Sequence, residues 1–432
     1  MILRNETRNM DRRILRLAVP SILANITTPL LALIDTAIAG HLGSERYLAA
    51  IAVGGVMFNM LYWFFSFLRA GTSGLSAQAC GAGDPSASAL VLARSLLVAL
   101  TAGALMILFQ EGIFKMMVWF LEAKPPVSSL ASVYFHLLIW GAPAVLGNYA
   151  MAGWFLGMQN SRMMLWVSLI INVVNIVTSL TLVYLLDMGI TGIAAGTLVA
   201  QWTGFGAGFL FLKGYRMPRP KWADIFRWNE LRRFFSVNVD VMLRTVCLIA
   251  VTLWFTRAGS VQGPLILAVN TLLMQLFLLF SYMMDGVAFA GEALVGRYVG
   301  ARDLQHVHLC VKRLFVWGAA WALLFTLVYF LGGEGILDLL SDDAGVRSAA
   351  HEYFVWALTI PLAGFAAFAW DGVYIGATLT RRLLVSMAGA CATFFLLYYL
   401  LVPVMHNHGL WLAFIAYLAM RGILQTLLFK VN

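Results

Sequence analysis

Charge is what this sequence has least of. Only 11% of its 432 residues are charged while 61% are hydrophobic, and the mean hydropathy is +0.84. A soluble domain carries about a quarter of its residues as charges, so that class is excluded. The four cysteines, Cys80, Cys247, Cys310 and Cys391, lie far apart in apolar segments with no CxxC and no metal-ligand spacing, which argues against disulfides and zinc. No P-loop, HExxH or GxSxG occurs, so no ATPase motif and no common hydrolase motif is present. The seven histidines are scattered, and the two-apart pairs His306/His308 and His406/His408 cannot form a metal face on a helix. The net charge of +9 comes from basic residues in alternate loops, not from one patch interleaved with aromatics as a nucleic-acid surface requires.

Long apolar runs are what the chain does have. At about 20 residues per span there is room for roughly twelve helices and for no soluble domain of useful size. The runs fall at 13–39, 48–72, 88–116, 128–157, 162–186 and 190–213, then 233–257, 263–291, 306–332, 348–376, 383–404 and 409–429. The expected fold is an all-α polytopic membrane protein with an N-terminal lobe (1–213), a linker (214–232) and a C-terminal lobe (233–432). Arg4, Arg8, Arg12, Arg13 and Arg16 lie before or at the start of the first run, and Lys213 to Arg233 forms the largest basic loop, so the positive-inside rule places both termini in the cytoplasm. Ala37-Ile38-Ala39 has the form of a signal-peptidase site, but the apolar run before it is too long for a signal peptide, so the segment is expected to remain as the first span.

The halves repeat. GAGD (Gly81 to Asp84) and GARD (Gly300 to Asp303) align at the shift that pairs Arg94 with Arg313, and the same shift pairs Gly153 with Gly372, Gly157 with Gly376 and Arg162 with Arg381. A repeat of six helices in one orientation implies two lobes about an axis along the membrane normal.

Asp35 stands inside the first apolar run, and a carboxylate in hydrocarbon persists only if protonated, paired or wetted. Asn25, Thr28, Ala32 and Asp35 share one helical face, while Pro20 and Pro29 each remove a backbone hydrogen bond and mark places to bend. Nineteen residues from Arg16 to Asp35 rise about 28 Å, which puts the carboxylate towards the outer side. At the repeat shift Asp35 faces Trp254, so its chemistry belongs to the first lobe alone. It is a site for a titrating proton or a bound cation, or else a structural carboxylate bonded to a neighbouring helix.

The fifth run places Ser168, Asn172, Asn175 and Ser179 on one face, suited either to bond a carboxylate or to glue helices. The sixth adds Thr197 and Gln201, and the fourth Asn148. The second lobe carries Asp240, Asp285, Glu292 and Asp371. Asp240 with Arg244 one turn on reads as an ion pair, Asp285 and Glu292 as gate or anchor residues, and Asp371 is unexplained. The cluster from Met57 to Phe64 could line a pocket for bulky apolar cations or could simply be core.

LRLAVPSILANITTPLLALIDTAIAGHLG in the first run, the GAGD segment, and NIVTS with GITGIAAGTLVAQ resemble the multidrug and toxic compound extrusion family, in its DNA-damage-inducible F-like branch, over essentially the whole chain. The resemblance implies two six-helix lobes forming a V-shaped cleft with alternating access, and export of bulky, often cationic, drug-like molecules against a proton or sodium gradient with no cofactor. It also implies a bacterial inner membrane. Asp35 matches the family's first-helix carboxylate, Pro20 its bending proline, Asn175 its fifth-helix asparagine and Thr197 its sixth-helix threonine. Relatives in this branch often carry aspartate where this chain has Ser179, and its loss favours protons over sodium as the coupling ion. A flippase for lipid-linked precursors is the second transport reading. A membrane enzyme would need a convergent His, Asp or metal cluster, and the sequence displays none.

Overall fold

The computed structural model describes residues 2–40, 45–122, 124–125, 127–215, 217–341 and 343–430, and within these it leaves the side chains of 2–4, 28, 30–33, 45 and 334 undescribed. The side chains of Thr28 and Ala32, two members of the polar face of the first run, therefore lie outside the described residues. The described elements are all helices, as a chain that must satisfy its own backbone in lipid requires.

Helix α1 is Ile2–Gly40. It is followed by α2 (Arg46–Gly81), α3 (Pro85–Leu108), α4 (Val127–Gly157), α5 (Ser161–Leu185) and α6 (Gly189–Tyr215). After the linker come α7 (Trp228–Val261), α8 (Pro264–Gly300), α9 (Leu304–Gly333) and α10 (Ala344–Gly376). The last helical run, Thr380–Leu428, breaks at His406, whose φ of 49° and ψ of −124° follow Pro403, giving α11 (380–405) and α12 (407–428). With α1 and this division, the ten apolar helices among the described residues that are long enough to cross a bilayer become the twelve expected. The expected span at 88–116 is interrupted at Phe109, after which a separate short helix, Gln110–Leu121, begins.

By internal contacts the chain forms two compact units, Leu23–Phe234 and Met1–Ile22 with Phe235–Asn432. In the second of these, the start of α1 is held to α8 and α9. Arg313 donates to both Asp11 oxygens at 2.7 and 2.8 Å, Trp317 donates to Asp11 Oδ1 at 3.0 Å, and Arg13 donates to the Tyr298 hydroxyl at 2.6 Å. The division falls two residues after Pro20, where the Arg16 carbonyl loses its helical donor.

The two halves repeat down to single residues. A Cβ on Gly153 would collide with the Arg69 carbonyl oxygen, and one on Gly372 with that of Ala288, its repeat partner. Gly157 stands 2.7 Å, measured the same way, from the Ser73 oxygen, and Gly376 2.6 Å from that of Glu292. These glycines let α2 cross α4, and α8 cross α10, backbone to backbone, which is how helices bind where lipid supplies no hydrophobic drive. Asp84 caps α3 through Ser86 N and Ala87 N, and Asp303 caps α9 through His306 N. Gly83 and Arg302 share a positive φ of 68° and 57°, as do Gln159 and Thr378 at 65° and 54°.

Candidate functional site

Asp35 is buried in the first unit, with 5% of its surface exposed, among side chains from α5 and α6. Those two helices pack tightly because glycines meet side chains at their crossing: Gly196 lies against Ser179, and Gly204 against Ile171. Thr178 adds a hydrogen bond to the Gly196 carbonyl at 3.2 Å. The close approach sets Asn175 and Thr197, both buried, side by side.

A chain of hydrogen bonds follows. Asn175 Nδ2 donates to Thr197 Oγ1 at 2.8 Å, and Thr197 Oγ1 donates to Asp35 Oδ2 at 3.1 Å. The Ile193 carbonyl offers the same hydroxyl a second acceptor, also at 3.1 Å. One proton on Thr197 therefore has two destinations. Asp35 Oδ1, Asn175 Oδ1 and the Ser179 hydroxyl are buried without a hydrogen-bond partner among the described residues. Nearer the middle of α1, the Thr27 hydroxyl meets that of Ser168 on α5.

Of the expected site residues, the structure joins Asp35, Thr197 and Asn175 directly and places Ser179 one turn along α5 from Asn175. It does not join Asn172, whose amide turns back to the Ser168 carbonyl of its own helix at 2.8 Å. Asn148 donates to the Gln201 carbonyl at 3.3 Å and so ties α4 to α6. From the aromatic and methionine stretch, Met57 and Phe58 are core, with Phe58 stacked on Phe135 at 5.1 Å, while Trp63 is 43% exposed.

The second-lobe acids are engaged differently from the sequence reading. Asp240 does not pair with Arg244. It accepts from Thr380 at 3.0 Å at the start of α11 and lies 3.6 Å from Arg381, where a helix N-terminus favours a carboxylate. Arg244 instead reaches Asp371, a more deeply committed partner. Asp371 also accepts from Arg421 at 2.8 Å and Gln425 at 2.7 Å, which accounts for a carboxylate the sequence left unexplained. Arg421 escaped the sequence reading, although a lone arginine in the apolar AYLAMRGILQ carries the same signal as Asp35. Glu292 is buried on α8, with Asp285 half-buried two turns before it.

The comparisons with known proteins agree with this architecture. The MatE family pattern matches twice, over residues 20–181 and 238–400, once in each repeat. The chain is 37% identical over 422 residues to DNA damage-inducible protein F of Escherichia coli K12, covering 96% of this chain and 90% of that one. It is 24% identical to a probable multidrug resistance protein NorM of Xanthomonas axonopodis, over 79% of this chain and 76% of that one. A crystal structure of a MATE protein in the bent conformation superposes with a TM-score of 0.88 at 19% identity, over 97% and 94% of the two chains. An outward-facing multidrug resistance MATE transporter gives 0.82 at 18%, over the same shares. With two repeats of the family pattern and a relative this similar along nearly its whole length, the chain belongs to the MatE family of multidrug and toxic compound efflux transporters.

Proposed function

We propose that this protein is a proton-coupled antiporter of the inner membrane, with both termini cytoplasmic, that exports bulky and often cationic organic molecules by alternating access. Lobes 1–213 and 233–432, joined by the linker 214–232, supply the two access states. The observation that carries the reading is the buried chain Asn175 to Thr197 to Asp35, in which a single carboxylate is met by neutral donors. A sodium site favours several charged oxygens, whereas one carboxylate suffices to carry a proton.

The switch follows from the two acceptors of Thr197. When Asp35 is ionised, the Thr197 proton points to Oδ2 and Asn175 supports the hydroxyl from behind. When Asp35 takes a proton it no longer demands that donor, and Thr197 turns to the Ile193 carbonyl. The outer part of α1 is thereby released from α6, and Pro20 is where the helix bends. The shift this drives is limited to the difference in proton affinity between the two states. A flippase with fixed arginines for diphosphate is less well supported, because Arg244 and Arg421 are both committed to Asp371. Dye efflux from proteoliposomes under an imposed proton or sodium gradient tests the reading; sodium-driven efflux without a proton gradient contradicts it.

A further inference from the structure

Beside the linker, α3 and α6 flank an open cavity of about 560 Å³. Leu92, Ala93 and Leu96 of α3 and Phe209 and Leu212 of α6 give it an apolar wall. Lys213 and Arg219 line it where α6 runs into the linker. Both are exposed, and neither is paired with a carboxylate among the described residues.

The linker over this cavity is fixed. Arg94, buried near the middle of α3, donates to the carbonyls of Ile225 at 3.0 Å and Asp224 at 2.7 Å. Tyr215 accepts from Asn160 at 2.8 Å and packs on Trp154 at 4.9 Å. Between these anchors Pro218 and Pro220 restrict the backbone.

The same linker presents aromatic rings outward. Trp222 and Trp228 are 73% and 74% exposed, and Phe226, 55% exposed, stacks on Trp222 at 6.5 Å. Exposed tryptophans beside lysine and arginine are the composition of a segment lying at the headgroup level of a bilayer. Basic pockets between helices on that side of a membrane suit anionic headgroups.

The geometry points to a phospholipid site: the cavity takes one acyl chain of an anionic phospholipid along the α3 and α6 wall, with the phosphate held by Lys213 and Arg219. A free phosphate would use the cations and leave the wall uncovered. A zwitterionic lipid would set its own cation against them. This site lies apart from Asp35 and does not depend on which ion drives transport.

The test uses the purified full chain in phosphatidylcholine vesicles containing spin-labelled phosphatidylglycerol or spin-labelled phosphatidylcholine, and reads the motionally restricted fraction of each label. Wild type is expected to restrict phosphatidylglycerol preferentially. Lys213→Ala with Arg219→Ala is expected to lower that preference by about fivefold for each cation removed, at roughly one surface charge's worth of attraction per residue. Lys213→Arg with Arg219→Lys should keep it, and Ala93→Trp, which fills the wall, should lower the restricted fraction with the charges in place. Equal restriction of the two lipids, or a preference that survives loss of both cations, overturns the proposal. So does loss of the restricted phosphatidylglycerol on adding millimolar inorganic phosphate, which would assign the cations to a free anion.

Discussion

Arg313 grips Asp11 through two parallel hydrogen bonds, and at the repeat shift the pair becomes Arg94 and Glu230, 3.7 Å apart. In each half, then, an arginine of α3 or α9 meets an acid in the first turns of α1 or α7. The two pairs differ in geometry. Asp11 and Arg313 are both about four-fifths covered, whereas Glu230 is 57% exposed. Removing one partner of the covered, forked pair leaves a charge behind, so Asp11→Asn is expected to destabilise by about 1–3 kcal/mol. Glu230→Gln should cost less than about 1 kcal/mol. Thermal unfolding of the two variants in the same detergent checks the order, and Arg313→Lys should recover only part of the loss because it cannot make the fork.

Gly153 and Gly372 hold the same close crossing in the two repeats. Neither opposing backbone can move aside for a side chain, so Gly153→Val and Gly372→Val are each expected to destabilise by about 1–3 kcal/mol through overpacking. Melting temperatures should fall by similar amounts for the two variants. A large drop for one alone would mean that the repeats do not share this contact.

Asp371 accepts from two arginines and a glutamine in the second unit. Deleting it strands two buried or half-buried guanidinium groups, so Asp371→Ala is expected to lose about 3–5 kcal/mol. Combining it with Arg421→Met and Arg244→Met should restore much of that stability, as measured by unfolding of the triple variant. Stability, and not ion selectivity, is the property expected to move.

Thr197 donates its hydroxyl to Asp35. Thr197→Val removes the donor to the carboxylate and the acceptor for Asn175 together, whereas Thr197→Ser keeps both. Proton-driven efflux is expected to fall about tenfold or more in the valine variant, given about 1–3 kcal/mol for a buried group left unpaired, and to return in the serine variant. Equal rates in the two would remove Thr197 from the coupling path.

The repeat and the helix count were legible in the sequence because each rests on local spacing or on a self-match, whereas the union of Asp35 with Asn175 and Thr197 was legible only through the resemblance to the family. Side-chain destinations across the chain were not. Arg244 lies one turn from Asp240, yet it goes to Asp371, 127 residues away on α10, where Arg421 and Gln425 also converge. Asn172 shares a face with Asn175, yet its amide finds a nearer carbonyl one turn back. Nor does spacing reveal that Arg94, near the middle of α3, fixes the linker more than a hundred residues later.

The most direct measurement is efflux of a fluorescent cationic dye from proteoliposomes, comparing wild type with Asp35→Asn under a proton gradient and under a sodium gradient. The account predicts efflux from wild type under the proton gradient alone, and none above leak from the folded asparagine variant. Coupled efflux that persists in Asp35→Asn would contradict it and leave Asp35 a structural carboxylate.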